Sequence, residues 1–222
     1  MKKISVLCPT RGRPERAINL YESFVKTQSG NNEIFFCLQE DDPKVNDYPE
    51  EIRSRAIVVP PRSTASYWNQ LAQQSTGDLL TLMGDDVTFV NPGWDTRFLQ
   101  VLDQYPDGIF MITPQDGRGN IDPPNPLPSP HPTISRQWYE ALGYFVFPGF
   151  HHYYVDMWLD TISVALGRKI NLYDIEFTHF KSKDEMRKKM RGEKWSKMDQ
   201  HTFNICQRHL ETDIEVLRKL MK

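Results

Sequence analysis

Residues 79–87 read Leu79-Leu80-Thr81-Leu82-Met83-Gly84-Asp85-Asp86-Val87. A short apolar run that stops at a glycine and two carboxylates has the pattern of a buried strand ending in a polar turn. Upstream, Ser63 or Thr64 can cap a helix carrying Tyr67, Trp68, Leu71 and Ala72, and Gly77 ends it. Downstream, Trp94, Phe98 and Val101 or Leu102 recur at helical spacing. The strand at 79–83 therefore lies between two helices.

The same alternation extends in both directions. Residues 4–8 form an apolar run ending at Pro9, and Pro14 stands where a first helical residue would. Ala17, Leu20, Tyr21, Phe24 and Val25 follow at helical spacing. Residues 34–38, 56–59 and 109–113 read as further strands. Strands separated by helices of this length predict βαβ units and a mainly parallel sheet flanked by helices, an α/β fold.

The second half differs. Residues 114–132 are rich in Pro, Gly, Asn and Asp and predict a long irregular connection. Residues 137–144 read as a short helix and 156–166 as a stronger one, with Trp158, Leu159, Ile162, Ala165 and Leu166 on its apolar face. Residues 169–177 read as a strand. Residues 181–197 hold eight Lys or Arg against three acids, a local charge of +5. Residues 199–221 read as a helix with Phe203, Leu210, Ile214, Leu217 and Met221 roughly on one side.

Composition excludes several classes. The 222 residues are 39% hydrophobic and 25% charged, enough for one core or a core with a small lobe. No apolar run approaches the roughly 20 residues of a spanning helix, so no membrane partner is expected. The N-terminus lacks the apolar core and cleavage site of a signal peptide. Cys8, Cys37 and Cys206 are odd in number and far apart, which fits a reducing compartment and a cytoplasmic protein. The net charge of −2 is not that of a dedicated nucleic-acid binder.

Five features carry chemistry. Ligands of open α/β sheets bind beyond the carboxyl ends of the strands, where Asp85 and Asp86 stand. An Asp pair there can hold a hard divalent cation, and the cation a diphosphate. Gly and Asp are also ordinary turn residues, so the position between strand and helix favours a site. The second feature is Cys8-Pro9-Thr10-Arg11-Gly12-Arg13-Pro14. Helix N-terminal amides and two arginines suit an anion, but no second Gly and no Gly-Lys-Ser or Gly-Lys-Thr make it a P-loop. The third is Gln39-Glu40-Asp41-Asp42-Pro43, whose carboxylates can accept hydrogen bonds from a base or ribose and singly read as turn residues.

Asp156, the fourth, lies near a helix start, where a carboxylate either satisfies the dipole or serves as a general base. The fifth is His179, ending the late strand in Glu176-Phe177-Thr178-His179-Phe180. A lone His is more often structural than a ligand. His151 and His152 are neighbours and cannot point the same way along an extended segment. No His-x-x-x-His spacing suggests zinc.

Taken in order, residues 3–180 resemble the GT-A glycosyltransferases, nucleotide-sugar-dependent enzymes with a Rossmann-like sheet, and more narrowly the inverting family-two type. Small glycosyltransferases encoded by bacteriophages are similar in size and layout. The resemblance makes Pro9, Thr10, Arg11 and Arg13 the first donor-binding loop. It makes Glu40, Asp41 or Asp42 the reader of the nucleobase, and Arg62 a basic donor contact. Gly84-Asp85-Asp86 resembles the Asp-x-Asp motif, with Asp86 as metal ligand and Asp85 nearer the ribose or sugar. Asp156 falls at the catalytic base and His179 at a further metal ligand. Two departures stand out. Gly84 replaces the motif's first acid, and Tyr153-Tyr154-Val155 precede Asp156 where the family often has a Glu-Asp pair.

The resemblance implies a hexosyl- or pentosyltransferase using Mn2+ or Mg2+ and a nucleoside-diphosphate sugar, with uridine favoured. A cation held by Asp86, with His179, would stabilise the leaving diphosphate. Asp156 would take the acceptor's hydroxyl proton, and attack from the opposite face would invert the anomeric carbon. Residues 1–113 would be the nucleotide-sugar-binding half, 114–180 the acceptor half and 181–222 a basic, helical extension. The connection at 114–132 would form the acceptor side or a lid. Trp138, Tyr139, Tyr144, Phe147, Phe150 and Tyr154 are candidate sugar or base platforms, and each is equally able to pack the core.

Several acceptors remain open. The basic stretch at 181–197 could contact DNA, with a hydroxymethylated pyrimidine swung out of the stack in the host cytoplasm of a phage. A polysaccharide, a lipid-linked sugar and a protein side chain are the others. Outside this class stand a sugar-nucleotide nucleotidyltransferase, which expects a Gly-rich loop where the chain has only Gly12, and a degenerate module that binds nucleotide or glycan without turnover.

Overall fold

Along β1 (Ile4–Pro9) the side chains alternate between two cores. Ile4, Val6 and Cys8 enter one cluster and Leu7 the other, the two-residue period of a strand covered on both faces. The structure, a computed structural model, describes residues 2–117, 128–179 and 193–222. After β1 come α1 (Pro14–Thr27), β2 (Glu33–Gln39), α2 (Glu50–Arg53), β3 (Ala56–Val59) and α3 (Thr64–Gln74). Then follow β4 (Leu79–Leu82), β5 (Val87–Phe89), α4 (Trp94–Gln104), β6 (Met111–Gln115), β7 (Thr133–Ser135) and α5 (Arg136–Leu142). The described chain ends with α6 (Val155–Leu166), β8 (Lys169–His179), α7 (Glu193–Ile205) and α8 (Gln207–Arg218).

One eight-stranded sheet has the order β3-β2-β1-β4-β7-β6-β8-β5. β3, β2, β1 and β4 pair in parallel, and β6 and β8 pair in parallel. β7 runs antiparallel to both β4 and β6, which sets β6 and β8 in the direction of β4. β5 is antiparallel to β8. Six strands therefore end at one edge, and the mainly parallel α/β sheet expected from the sequence is present.

Helices cover both faces. α1 and α4 bring Ala17, Leu20, Phe24, Trp94 and Phe98 to one core. α3 and α6 bring Tyr67, Trp68, Leu71, Trp158 and Ile162 to the other. Pro14 opens α1, and the Ser63 hydroxyl caps α3 by accepting from Ser66 N at 3.2 Å. Gly77 lies so close to β1 that a Cβ there would meet Ser5 Oγ at 2.4 Å. That approach brings α3's exit against the sheet and starts β4.

Three differences from the sequence reading stand out. β5 and β7 are three residues each, too short for a two-residue period to register, and are held by distant partners. The strand expected at 109–113 begins at Met111 and runs to Gln115. The helix expected at 199–221 is two helices that meet at Cys206. In α8, Leu210 and Leu217 are buried in the cluster that holds α3 and α6. Of the Pro-rich connection, 118–127 lie outside the described residues, as do 180–192, most of the basic stretch. Among the described residues, no helix is long and apolar enough to cross a membrane.

Candidate functional site

The strand ends at Pro9, Gln39, Leu82 and His179 border one cleft of about 720 Å3. Its placement follows from the parallel sheet, whose strands aim their carboxyl ends at a common edge. The cleft is also lined by Thr10, Arg11, Arg13, Arg62, Asp85, Asp86 and Asp156. Residues from six separate stretches of sequence thus face one space.

The loop after β1 is held by carboxylates. Thr10 Oγ1 donates to Asp85 Oδ2 at 2.6 Å, and Arg13 Nη2 lies 2.8 Å from Asp85 Oδ1. Asp85 is 1% exposed, and burial pushes its carboxyl up to about 6 despite the nearby Arg13. Its carboxylate is engaged with the loop, where the resemblance had it nearer a ribose or sugar. Arg11 Nη1 donates to Gln39 Oε1 at 2.6 Å and pairs with Asp41. Asp42 is buried and accepts from Gly12 N at 2.6 Å and Lys44 N at 2.9 Å. Asp42 therefore shapes the loop. Glu40 is exposed, and neither it nor Asp41 lines the cleft. Gln39 does, a residue the sequence reading quoted without a role.

Asp86 faces the other way from its neighbour. Its Oδ1 lies 3.8 Å from His179 Nε2, and His179 Nε2 is 3.1 Å from His131 Nε2. A Cβ at Gly84 would sit 2.9 Å from Asp86 Oδ1, so a side chain would press on that carboxylate. Among the described residues, no three His, Cys, Asp or Glu side chains form a closed metal-binding group.

Asp156 lies in the first turn of α6, and its Oδ1 accepts from Met157 N at 2.9 Å. Burial raises its carboxyl above the usual carboxylate range. The residue that starts this helix, Tyr154, has φ 65° and ψ 0°, the one positive φ outside glycine among the described residues. Such a conformation costs on the order of 1–3 kcal/mol and persists only where the surroundings fix it. Tyr154 also lines the cleft.

Of the two readings open for the other aromatic candidates, core packing is the one found. Trp138, Phe147 and Phe150 are buried in the core, Tyr139 packs against it, and Tyr144 donates its hydroxyl to Asp213. The cleft instead takes Tyr67, Trp68 and Trp195. His152 stacks on Trp68 with ring centres 6.2 Å apart, and burial lowers its pKa. His151 meets Trp195 at 4.0 Å, so the two adjacent histidines do point to different neighbours. Trp195 sits in a stretch whose charges masked it, and His131 in one without any period.

The sequence matches no family model, and no curated protein matches it. Solved structures do match. S. aureus TarS 1–349 in complex with UDP aligns with a TM-score of 0.63 at 15% identity, covering 80% of this chain and 60% of that one. The same protein in complex with UDP-GlcNAc aligns at 0.61 and 15%, over 82% and 60% of the two chains. The mannosyltransferase PcManGT from Pyrobaculum calidifontis, in complex with GDP-Man and Mn2+, aligns at 0.58 and 14%, over 81% and 57%. The chain thus spans about 60% of the length of the TarS fragment. At such identities the likeness is one of fold: the curled, helix-flanked sheet of this chain is that of the structures it matches.

Proposed function

We propose that this chain is a glycosyltransferase that moves a sugar from a nucleoside-diphosphate sugar, UDP-linked by preference, to an acceptor hydroxyl with inversion. The observation that carries the reading is the cleft, where Asp86 and His179 stand at the same sheet edge as Asp156 and the loop after β1. The folds it matches hold UDP, UDP-GlcNAc and GDP-Man.

In this reading Gln39, Arg62 and the Thr10–Arg13 loop bind the nucleotide. Arg62 is exposed beside the start of α3, where a phosphate can reach it. Asp86 and His179, whose Oδ1 and Nε2 are 3.8 Å apart, would supply two ligands to Mn2+ or Mg2+, with diphosphate oxygens supplying the rest. The cation, when bound, supplies positive charge against the leaving diphosphate. Asp156 accepts the proton of the attacking hydroxyl, and its raised pKa brings its basicity closer to that task. Tyr153 and Tyr154 line the same wall and keep the acceptor against Asp156.

The basic stretch at 181–197 supports DNA as acceptor by charge alone, since 180–192 lie outside the described residues. Duplex binding that weakens steeply with salt would favour DNA, and no binding would favour a glycan, lipid or protein acceptor. The test of the reading itself is calorimetric titration with UDP, GDP, CDP and TDP, each with and without Mn2+. One nucleotide binding tightly only with metal is expected. If no nucleotide binds under any condition, the proposal is wrong.

A further inference from the structure

We propose that Asp199 is a positioning residue for Asp156, a role that rests on the function proposed above. Asp199 lies on α7, is 0% exposed, and its carboxylate accepts three consecutive backbone amides. His151 N donates to Oδ1 at 2.8 Å, and His152 N and Tyr153 N donate to Oδ2 at 2.9 and 2.8 Å. All three bonds end on one buried carboxyl group.

Three neighbouring amides turned to one point belong to no helix or strand ladder, so the carboxylate holds this segment's shape. The segment leads directly into Tyr154, whose left-handed backbone needs its surroundings to hold it, and then into Val155 and Asp156. The clamp therefore ends three residues before the proposed base. His151 O also accepts from Ala65 N at 3.2 Å, which ties the same segment to the start of α3, beside Arg62 and Ser63. One turn before Asp199, Trp195 packs its ring on His151 at 4.0 Å. α7 thus grips the segment through two side chains on one face. A small displacement of a reacting group costs a large factor in rate, so loosening this segment lowers turnover more than binding.

The experiment follows hydrolysis of UDP-GlcNAc with Mn2+ in the full chain and in Asp199→Asn, which keeps the size but loses one acceptor oxygen. The expected result is a kcat at least tenfold lower, with the KM for UDP-GlcNAc and the UDP affinity within twofold. A folded variant with unchanged kcat overturns the role, as does an equal loss of binding and turnover. Amide hydrogen exchange of the unaltered protein needs no variant: residues 151–153 should exchange as slowly as the core. Exchange at the rate of an open loop would show that the clamp is absent, even if Asp199→Asn does not fold. Should the unaltered protein bind none of UDP, GDP, CDP and TDP with or without Mn2+, the proposed function falls, and this role with it. Turnover that is indifferent to Asp199→Asn removes the positioning role alone.

Discussion

Thr10 Oγ1 donates to Asp85 Oδ2 at 2.6 Å, joining two turns that lie 75 residues apart in sequence. The bond divides the adjacent carboxylates between two jobs. Asp85 turns inward to hold the loop after β1, and Asp86 faces the histidines at the cleft.

That division makes Asp85 a source of pH dependence. Its carboxyl rises from 3.8 to about 6 because burial disfavours the charge. A group raised on folding stabilises fully below its unfolded value, and the contribution is lost as pH rises through the folded value. Between about pH 4 and 6 the protein should lose on the order of 2 kcal/mol relative to Asp85→Asn. Urea melts of both proteins across that range check this, and parallel curves would refute it.

Gly84 leaves room for the Asp86 carboxylate, 2.9 Å from where a Cβ would stand. Asp86→Ala should weaken Mn2+-dependent UDP binding at least tenfold, because a charged ligand is lost. Gly84→Ala should do the same to a smaller degree by pushing that carboxylate aside. Without metal, both should bind UDP as weakly as the unaltered protein. Calorimetry reads all three, and a metal effect untouched by Asp86→Ala would discard the assignment.

Asp156→Asn should lower turnover by roughly 10²–10⁴-fold while UDP affinity stays the same. In the unaltered enzyme a base must be deprotonated, so kcat should climb as pH rises through the raised pKa of Asp156. The midpoint of that limb should lie above the ordinary aspartate value of about 3.9. A limb at or below it would mean that another group acts as base.

Direct attack from the face opposite the diphosphate leaves the anomeric carbon inverted. NMR of freshly formed product should show the configuration opposite to the donor's. Retention would take Asp156 out of the role given to it.

Asp213 on α8 is 4% exposed and accepts from the Tyr144 hydroxyl and from Trp158 Nε1, the latter at 3.1 Å. Asp213→Ala leaves both donors buried without that acceptor and should cost about 3 kcal/mol. Leu217→Ala, a fully buried side chain on the same helix, should cost about 2–5 kcal/mol. Denaturant titrations in which both changes are silent would make α8 dispensable to the core.

Legibility in the sequence followed locality. β1 to β4 could be read because buried parallel strands are short apolar runs punctuated by Pro, Gly and Asp, as at Pro9 and Gly84. β5 could not, since Val87 finds its partner only at His179. Within the cleft, Asp86, Asp156 and His179 were visible because each sits at the end or start of an element. His131 was not. It reaches His179 because β7 pairs beside β4, with Thr133 against Thr81. Aromatic roles stay open in the sequence for a different reason: Trp138 and Trp195 are the same chemistry there, and only packing makes one core and the other wall. Asp199 looked like an ordinary acid opening a helical segment, and its three partners lie 46 to 48 residues earlier.

The reach of Asp199 back to residues 151–153 also orders events during synthesis. Strands β1 to β4 can pair once residue 82 has been made, and chains fold largely from the N-terminus as they emerge. The wall beside Asp156 must wait for residue 199. A nascent chain can therefore pair these four parallel strands well before it can complete the wall beside Asp156. Any fragment that stops short of residue 199 should be trapped at that intermediate stage.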